Sequence, residues 1–303
     1  MSIAVAQPGL AGSLMRVASL VRYRFFLYAG LLPYLLGAAW AYAIDNAFDA
    51  PAFWSAFGGV VLSVIGVEAF NEYFDARMGT DRVFNPEDVP PVAQAVFWIG
   101  SAAFAGALAV GVYLALHVGW PILAFALLGG AAAIFYEAPP IRWSYRGLGE
   151  LVIALSYGPW MVLGSLYLHT RSLSWEAFLA SLVPACFIMA LAVVNAIPDF
   201  HQDRIVGKRN LVVRLGRERA VWLYVGLATA GLAVVIAGVV TDAFPHTCMA
   251  ALLALPFVAS SAYTAERNHS LPRAFLPAMR SMVFAYLVAT GAFCAAILLE
   301  AWP

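Results

Sequence analysis

Apolar runs of about twenty residues, each long enough to cross roughly 30 Å of hydrocarbon as a helix, recur along this chain. They fall at 24–44, 51–74, 91–117, 119–136, 148–168, 176–198, 219–241, 246–264 and 275–299. With 63% hydrophobic and 11% charged residues, the chain has too much apolar surface for one water-soluble core. The expectation is an all-α integral membrane protein, a bundle of about nine transmembrane helices around a central cavity, or eight if the short, Gly-rich run at 119–136 does not cross.

Basic residues orient such a bundle, because Lys and Arg accumulate in cytoplasmic loops. With the N-terminus placed in the cytoplasm, all of the 17 Lys and Arg residues except Arg171 fall on the cytoplasmic side. One span more or fewer would scramble that partition, so it supports nine spans and an outward C-terminus. The segment 1–20 reads as a cytoplasmic N-terminal stretch without signal-peptide character, and 21–303 as a single domain in the cytoplasmic membrane. The formal net charge of zero gives no reason to expect nucleic-acid binding. The basic loops suit anionic lipid headgroups or a phosphorylated substrate. Cys186, Cys248 and Cys294 have no metal-ligand or disulfide spacing and read as core residues.

Against this background two acidic motifs stand out, each where an apolar run ends on the cytoplasmic side. The first is Asn71-Glu72-Tyr73-Phe74-Asp75 with Gly79-Thr80-Asp81, and the second is Asn195 followed by Asp199 and Asp203. The shared Asn-then-Asp spacing is a weak internal repeat. Carboxylates at membrane depth cost about 2.5–3.5 kcal/mol each, so a cluster of them calls for a compensating partner. Glu68, Asn71 or Glu72, and Asp75 are three or four residues apart and share a helical face, as do Asn195, Asp199 and Asp203, so each helix can present a line of oxygen ligands to one point. Asp81 would return from the loop.

Oxygen donors without a His or Cys cluster favour a hard cation, and Mg2+ prefers one or two carboxylates together with phosphate oxygens. A diphosphate is the natural third party. Lys208, the one lysine in the chain, and Arg209 and Arg214 follow the second motif, while Arg77 and Arg82 follow the first. Lys208 is the expected diphosphate contact. Asp88, Glu218, Glu266 and His201 read as solvated loop or helix-end residues. Glu68 reads as a substrate-facing carboxylate, its alternative being a packing hydrogen bond.

Taken together, these blocks resemble a known family. Asn71-x-x-x-Asp75 with Gly79-Thr80-Asp81, then Tyr136-x-x-Pro139-Pro140 leading to Ser144-Tyr145-Arg146-Gly147-Leu148-Gly149-Glu150, then Asp199-x-x-x-Asp203 with Gly207-Lys208-Arg209-Asn210, occur in the order of the UbiA superfamily of intramembrane prenyltransferases. The resemblance runs from about residue 20 to the end. The first motif and the Gly158-Pro159-x-x-x-x-Gly164 segment are most similar to the dihydroxynaphthoate prenyltransferases of menaquinone synthesis. Three departures accompany it: Glu72 follows Asn71 where the family has Asp, the last acid of the first motif falls at Asp81, and Pro198 directly precedes Asp199.

The resemblance implies a helical bundle around a central cavity, capped by the loops after the second and sixth spans. It implies Mg2+ held by Asn71, Asp75, Asp81, Asp199 and Asp203, with Asp75 and Asp199 catalytic. Lys208, Arg209, Arg22 and Arg82 would steady the diphosphate of a polyprenyl donor. Tyr136 would lie near the reacting carbon, its alternative being an interfacial anchor. Trp160, Tyr157, Phe70 and Phe74 could shield an allyl cation, or serve only as packing. The implied reaction transfers the polyprenyl group to an aromatic quinone precursor such as dihydroxynaphthoate, or to another lipid-soluble acceptor. A secondary transporter with intramembrane carboxylates is the alternative from another class, although its sites belong near the midplane. Neither prenyl chain length nor oligomeric state has a signature in the sequence.

Overall fold

A computed structural model of the protein describes residues 30–78 and 94–300, apart from the side chains of Asp75 and Met78. The described residues form helices and connecting turns, with no strand among them. Among the described residues, seven helices are long and apolar enough to cross a membrane: α2 (Ala50–Phe74 of a helix that continues to Met78), α3 (Gln94–His117), α6 (Gly149–Thr170), α7 (Trp175–Ala196), α10 (Arg217–Val240), α11 (His246–Asn268) and α12 (Pro272–Leu299). The chain is thus a multi-pass membrane protein. Two apolar helices are shorter, α1 (Leu31–Ala43) and α4 (Pro121–Ile134). They stand where the sequence predicts spans at 24–44 and 119–136, residues 24–29 of the first lying outside the described residues. For α4 the physical reason is local, because Pro121 opens the helix and the chain turns at Phe135 ahead of the Pro139–Pro140 pair.

Three short helices complete the described residues: α5 (Trp143–Arg146), α8 (Phe200–Ile205) and α9 (Leu211–Leu215). They all sit at one end of the bundle. The alternation of helix directions brings Arg77, Arg142, Arg146, Arg204, Lys208, Arg209, Arg214, Arg217, Arg219, Arg267, Arg273 and Arg280 to or toward that end. Among the described basic residues, Arg171 alone lies at the other. Exposed tryptophans mark both ends, with Trp98 and Trp222 near the basic end and Trp54, Trp120 and Trp175 near the opposite one. Amphipathic rings at two levels are what the two water interfaces of a bilayer select.

Packing divides the bundle. Helix α7 packs on α10 and α12, α12 also packs on α1 and α11, and the buried side chains of these helices form one continuous core. Helix α7 is its central member, with 67% of its apolar window buried against 22% for α2. Helices α2, α3, α4 and α6 make the other half, where smaller buried clusters surround a cavity.

Helix α6 is shaped for that cavity. Its wall residues come in steps of four: Val152 and Ile153, Ser156 and Tyr157, Trp160 and Met161, Gly164 and Ser165, then Leu168. On a regular helix such a stripe drifts by about 40° per step and would leave the cavity. A π turn at Ser156–Trp160, in which the Met161 N–H reaches the Ser156 carbonyl, takes up part of the rotation. Pro159 favours the wide turn because it has no N–H to give to the Leu155 carbonyl. Gly158 lies on the outer side of this turn, where a Cβ would strike Ala185 and the Ser181 carbonyl of α7, so α6 and α7 approach closely there.

Candidate active site

Two chain breaks build the polar end of the cavity. Helix α7 starts at Ser174, whose hydroxyl accepts from Ala177 N at 3.1 Å, and it stops at Ala196 because Pro198 cannot donate to the turn before it. Asp199 then stands between two helices, just ahead of α8, and lines the cavity with Asn195. From α2, Glu68, Asn71 and Glu72 line the same cavity. The two motifs, remote in sequence, therefore face one space. Tyr136, just past α4, completes this end.

One expectation needs correcting. Asn195, Asp199 and Asp203 do not lie on one continuous helix, because α7 ends at Ala196, Asp199 stands at the break, and Asp203 belongs to α8. Asp203 is buried, 7% exposed, and is not among the residues lining the cavity. Its Oδ2 accepts from Asn210 Nδ2 at 2.6 Å and its backbone carbonyl accepts from Lys208 N at 2.8 Å. Asp203 thus anchors the 206–216 loop.

That loop is tied down at further points. Asn210 Oδ1 caps α9 by accepting from Val213 N at 2.8 Å, and buried Glu150 accepts from Leu211 N at 2.9 Å through Oε1. Arg214 donates to the carbonyls of Arg209 and Arg146. Gly147 makes room for it: with φ +73 and the Arg214 guanidinium at the place a Cβ would occupy, only glycine fits without displacement.

Lys208 also departs from expectation. Its Nζ pairs with Glu137 Oε1 at 3.2 Å, the two side chains being 12% and 5% exposed, and Lys208 is not part of the cavity wall. The ammonium also lies 5.6 Å from the centre of the Tyr145 ring. Glu137 was not singled out from the sequence, since an isolated glutamate beside Tyr136 has no motif to mark it. Arg209 is exposed at the same end, and so is His201, as expected for a solvated loop histidine. Arg77 stacks over Tyr73 at 4.3 Å, and Tyr73 donates to Gln94 at 2.9 Å, which joins α2 to α3 below the first motif. Arg22, Asp81 and Arg82 lie outside the described residues, as does the side chain of Asp75. Cys186, Cys248 and Cys294 are free thiols, the last two buried in the core.

The electrostatics around Tyr136 are one-sided. Burial pushes its phenol well above the ordinary tyrosine value, the carboxylates of Glu137 and Glu150 push it further, Lys208 opposes them, and Asp203 adds a smaller upward effect. The phenol is therefore protonated throughout the physiological range and can only donate or accept hydrogen bonds.

Among the described residues no three His, Cys, Asp or Glu side chains gather as a metal cluster. The oxygen donors at this end nevertheless fit a hard cation. Asn71 Oδ1 is buried without a hydrogen-bond partner among the described residues, an acceptor on a side chain that lines the same cavity as Asp199.

Beyond the polar end the cavity is long and apolar, with a volume of about 1410 Å³, larger than the roughly 300–1,000 Å³ of ordinary small-molecule pockets. It follows α2 from Asn71 back to Ala56, about 22 Å at the helical rise, and ends among Leu114, Ile122 and Leu168. Its least covered wall lies between α3 and α4, where Leu108 and Leu127 remain 45% and 53% exposed.

Comparison with known proteins agrees with this architecture. The UbiA prenyltransferase family matches residues 30–288. The 1,4-dihydroxy-2-naphthoate octaprenyltransferase of Bacillus subtilis is 24% identical over 276 residues, covering 88% of each chain. The enzyme of the same name from Mycobacterium tuberculosis is 28% identical over 267 residues, covering 83% of this chain and 85% of that one. A UbiA homolog from Archaeoglobus fulgidus bound to GPP and Mg2+ has the same fold, with a TM-score of 0.65 at 15% identity over 94% of this chain and 99% of that chain.

Proposed function

The chain belongs to the UbiA prenyltransferase family, and we propose from that premise that it transfers a polyprenyl group from an allylic diphosphate to an aromatic quinone precursor of the dihydroxynaphthoate type. The observation that carries this reading is the cavity itself. Asn71, Glu72, Asn195 and Asp199 line one end, and an apolar channel continues from them down the bundle. Such a space suits a molecule with a highly charged head and a long hydrocarbon tail. The two similar enzymes named for dihydroxynaphthoate support the acceptor class.

Mg2+ is the ion this donor set suits, and the similar fold bound to GPP and Mg2+ supports it. Asn71, Asp75 and Asp81 would hold it from the first motif, and Asp199 and Asp203 from the second. One oxygen of Asp203 is oriented by Asn210, as carboxylate ligands commonly are. Bound there, the metal would neutralise charge on the leaving diphosphate.

The protein's own groups do the rest. Arg22, Arg82, Lys208 and Arg209 supply positive charge to the diphosphate. Tyr136, kept protonated, donates a hydrogen bond toward a departing phosphate oxygen near the reacting carbon. The allylic C–O bond breaks with its electron pair leaving on the diphosphate, a ring carbon of the acceptor forms the new C–C bond, and the displaced proton leaves the ring. Trp160 and Tyr157 on α6 present ring faces to the cationic fragment, and the apolar walls keep water from capturing it. Glu68, one turn deeper than Asn71, faces the acceptor. The basic end of the bundle is the cytoplasmic face under the positive-inside rule, so the site opens to the cytoplasm. Transport is disfavoured because the polar residues sit at helix ends and not at the midplane.

The test incubates membranes containing the protein with a labelled polyprenyl diphosphate and a panel of aromatic acceptors, with and without chelator. Metal-dependent prenylation of a dihydroxynaphthoate is the expected result. Transfer to another acceptor alone would replace the acceptor assignment, and transfer indifferent to chelator would remove the metal.

A further inference from the structure

The buried pair of Lys208 and Glu137 is poised at the diphosphate end without belonging to the cavity wall. Nζ and Oε1 are 3.2 Å apart, while Tyr136, the residue before Glu137, does line the cavity. The two partners come from separate elements, Glu137 from the turn after α4 and Lys208 from the loop that Asp203, Glu150 and Asn210 fasten. The backbone around Lys208 is thus fixed, and its movable part is the side chain.

A lysine side chain that is only 12% exposed is costly without a nearby negative charge, and Glu137 provides one. A diphosphate offers more negative charge and more acceptor oxygens than a single carboxylate. The flexible four-carbon stem of lysine can turn from one to the other. Resting on the reading of Lys208 as a diphosphate contact, we propose that Glu137 is an internal stand-in for the donor's diphosphate. It holds Lys208 beside the empty site and competes with the incoming donor for it. The pair thereby weakens the site's hold on phosphate-bearing ligands and favours release of the pyrophosphate product.

The sign of the effect separates this role from a merely structural one. Binding of pyrophosphate in excess Mg2+ to the purified full chain in detergent is measured by calorimetry. Glu137→Gln is expected to bind about five- to tenfold tighter than the unaltered protein, as if roughly a fifth to a tenth of the molecules normally hold Lys208 ready. Lys208→Met is expected to bind more weakly, and in the double variant the gain from Glu137→Gln disappears. Equal or weaker binding by Glu137→Gln overturns the proposal. So does a gain that persists with Met at position 208, since it would report general repulsion by a carboxylate. If Lys208→Met leaves pyrophosphate binding unchanged, the assignment of Lys208 to the diphosphate is what fails, and the competition falls with it. Should Glu137→Gln not accumulate as folded protein, Glu137→Asp withdraws the carboxylate by one methylene and carries the same expected direction and the same refuting result.

Discussion

Asn210 Nδ2 donates to Asp203 Oδ2 at 2.6 Å inside the loop that follows the second acidic motif, and both residues are buried. The bond gives the two aspartates of that motif different surroundings. Asp199 stands at a helix break on the cavity wall, whereas Asp203 is clasped by the loop it anchors. Asn210→Ala removes this bond and also the cap that Asn210 Oδ1 provides at Val213 N. A loss of about 1–2 kcal/mol in stability is expected, read as a lower thermal midpoint in detergent, with weaker donor binding as the loop loosens.

Asp199→Asn keeps the size of the side chain and removes its charge at the cavity wall. Prenyl transfer is expected to fall by about 10²–10³-fold, the scale of losing one preorganised electrostatic contact, with no change in membrane insertion or thermal midpoint. Steady-state kinetics at saturating donor checks it, and unaltered kcat would remove Asp199 from the reaction.

For Asn71 the prediction concerns metal. Its buried Oδ1 has no hydrogen-bond partner among the described residues, which leaves it available as an acceptor for a ligand. Asn71→Ala should raise the Mg2+ concentration giving half-maximal activity by roughly 10–100-fold, and Asn71→Asp should largely preserve it. A metal titration in which the alanine variant matches the unaltered protein would contradict this.

At the far end of the cavity, Ala56 lies about four helical turns from Asn71. Ala56→Trp fills that end and should shift turnover toward shorter prenyl donors while leaving the shortest ones unaffected. Competition between donors of different length, scored by mass spectrometry of the products, measures the shift.

Gly158→Val tests the π turn of α6. A side chain there collides with Ala185 and the Ser181 carbonyl of α7, so a destabilisation of about 1–3 kcal/mol is expected. Because Tyr157 and Trp160 ride on the same turn, acceptor KM should rise with it.

Much of this protein was legible in its sequence, because lipid leaves the backbone few choices. A segment of about twenty apolar residues must satisfy its own hydrogen bonds, which makes helices out of runs that composition alone marks. The acidic motifs were legible for the same reason, since carboxylates at the edge of hydrocarbon demand a partner. Their meeting at one cavity, at Asn71 and Asp199, was not, because only packing of α2, α6 and α7 decides which helix faces which. The same holds for Glu137, whose pairing with Lys208 depends on two loops meeting in space, and for Asp203, which regular helical spacing would put on one face with Asp199 but which sits in α8 beyond the Pro198 break and holds the following loop. Periodicity and solvent preference act along the chain and can be read there. Contacts between distant segments are set by the tertiary fold alone.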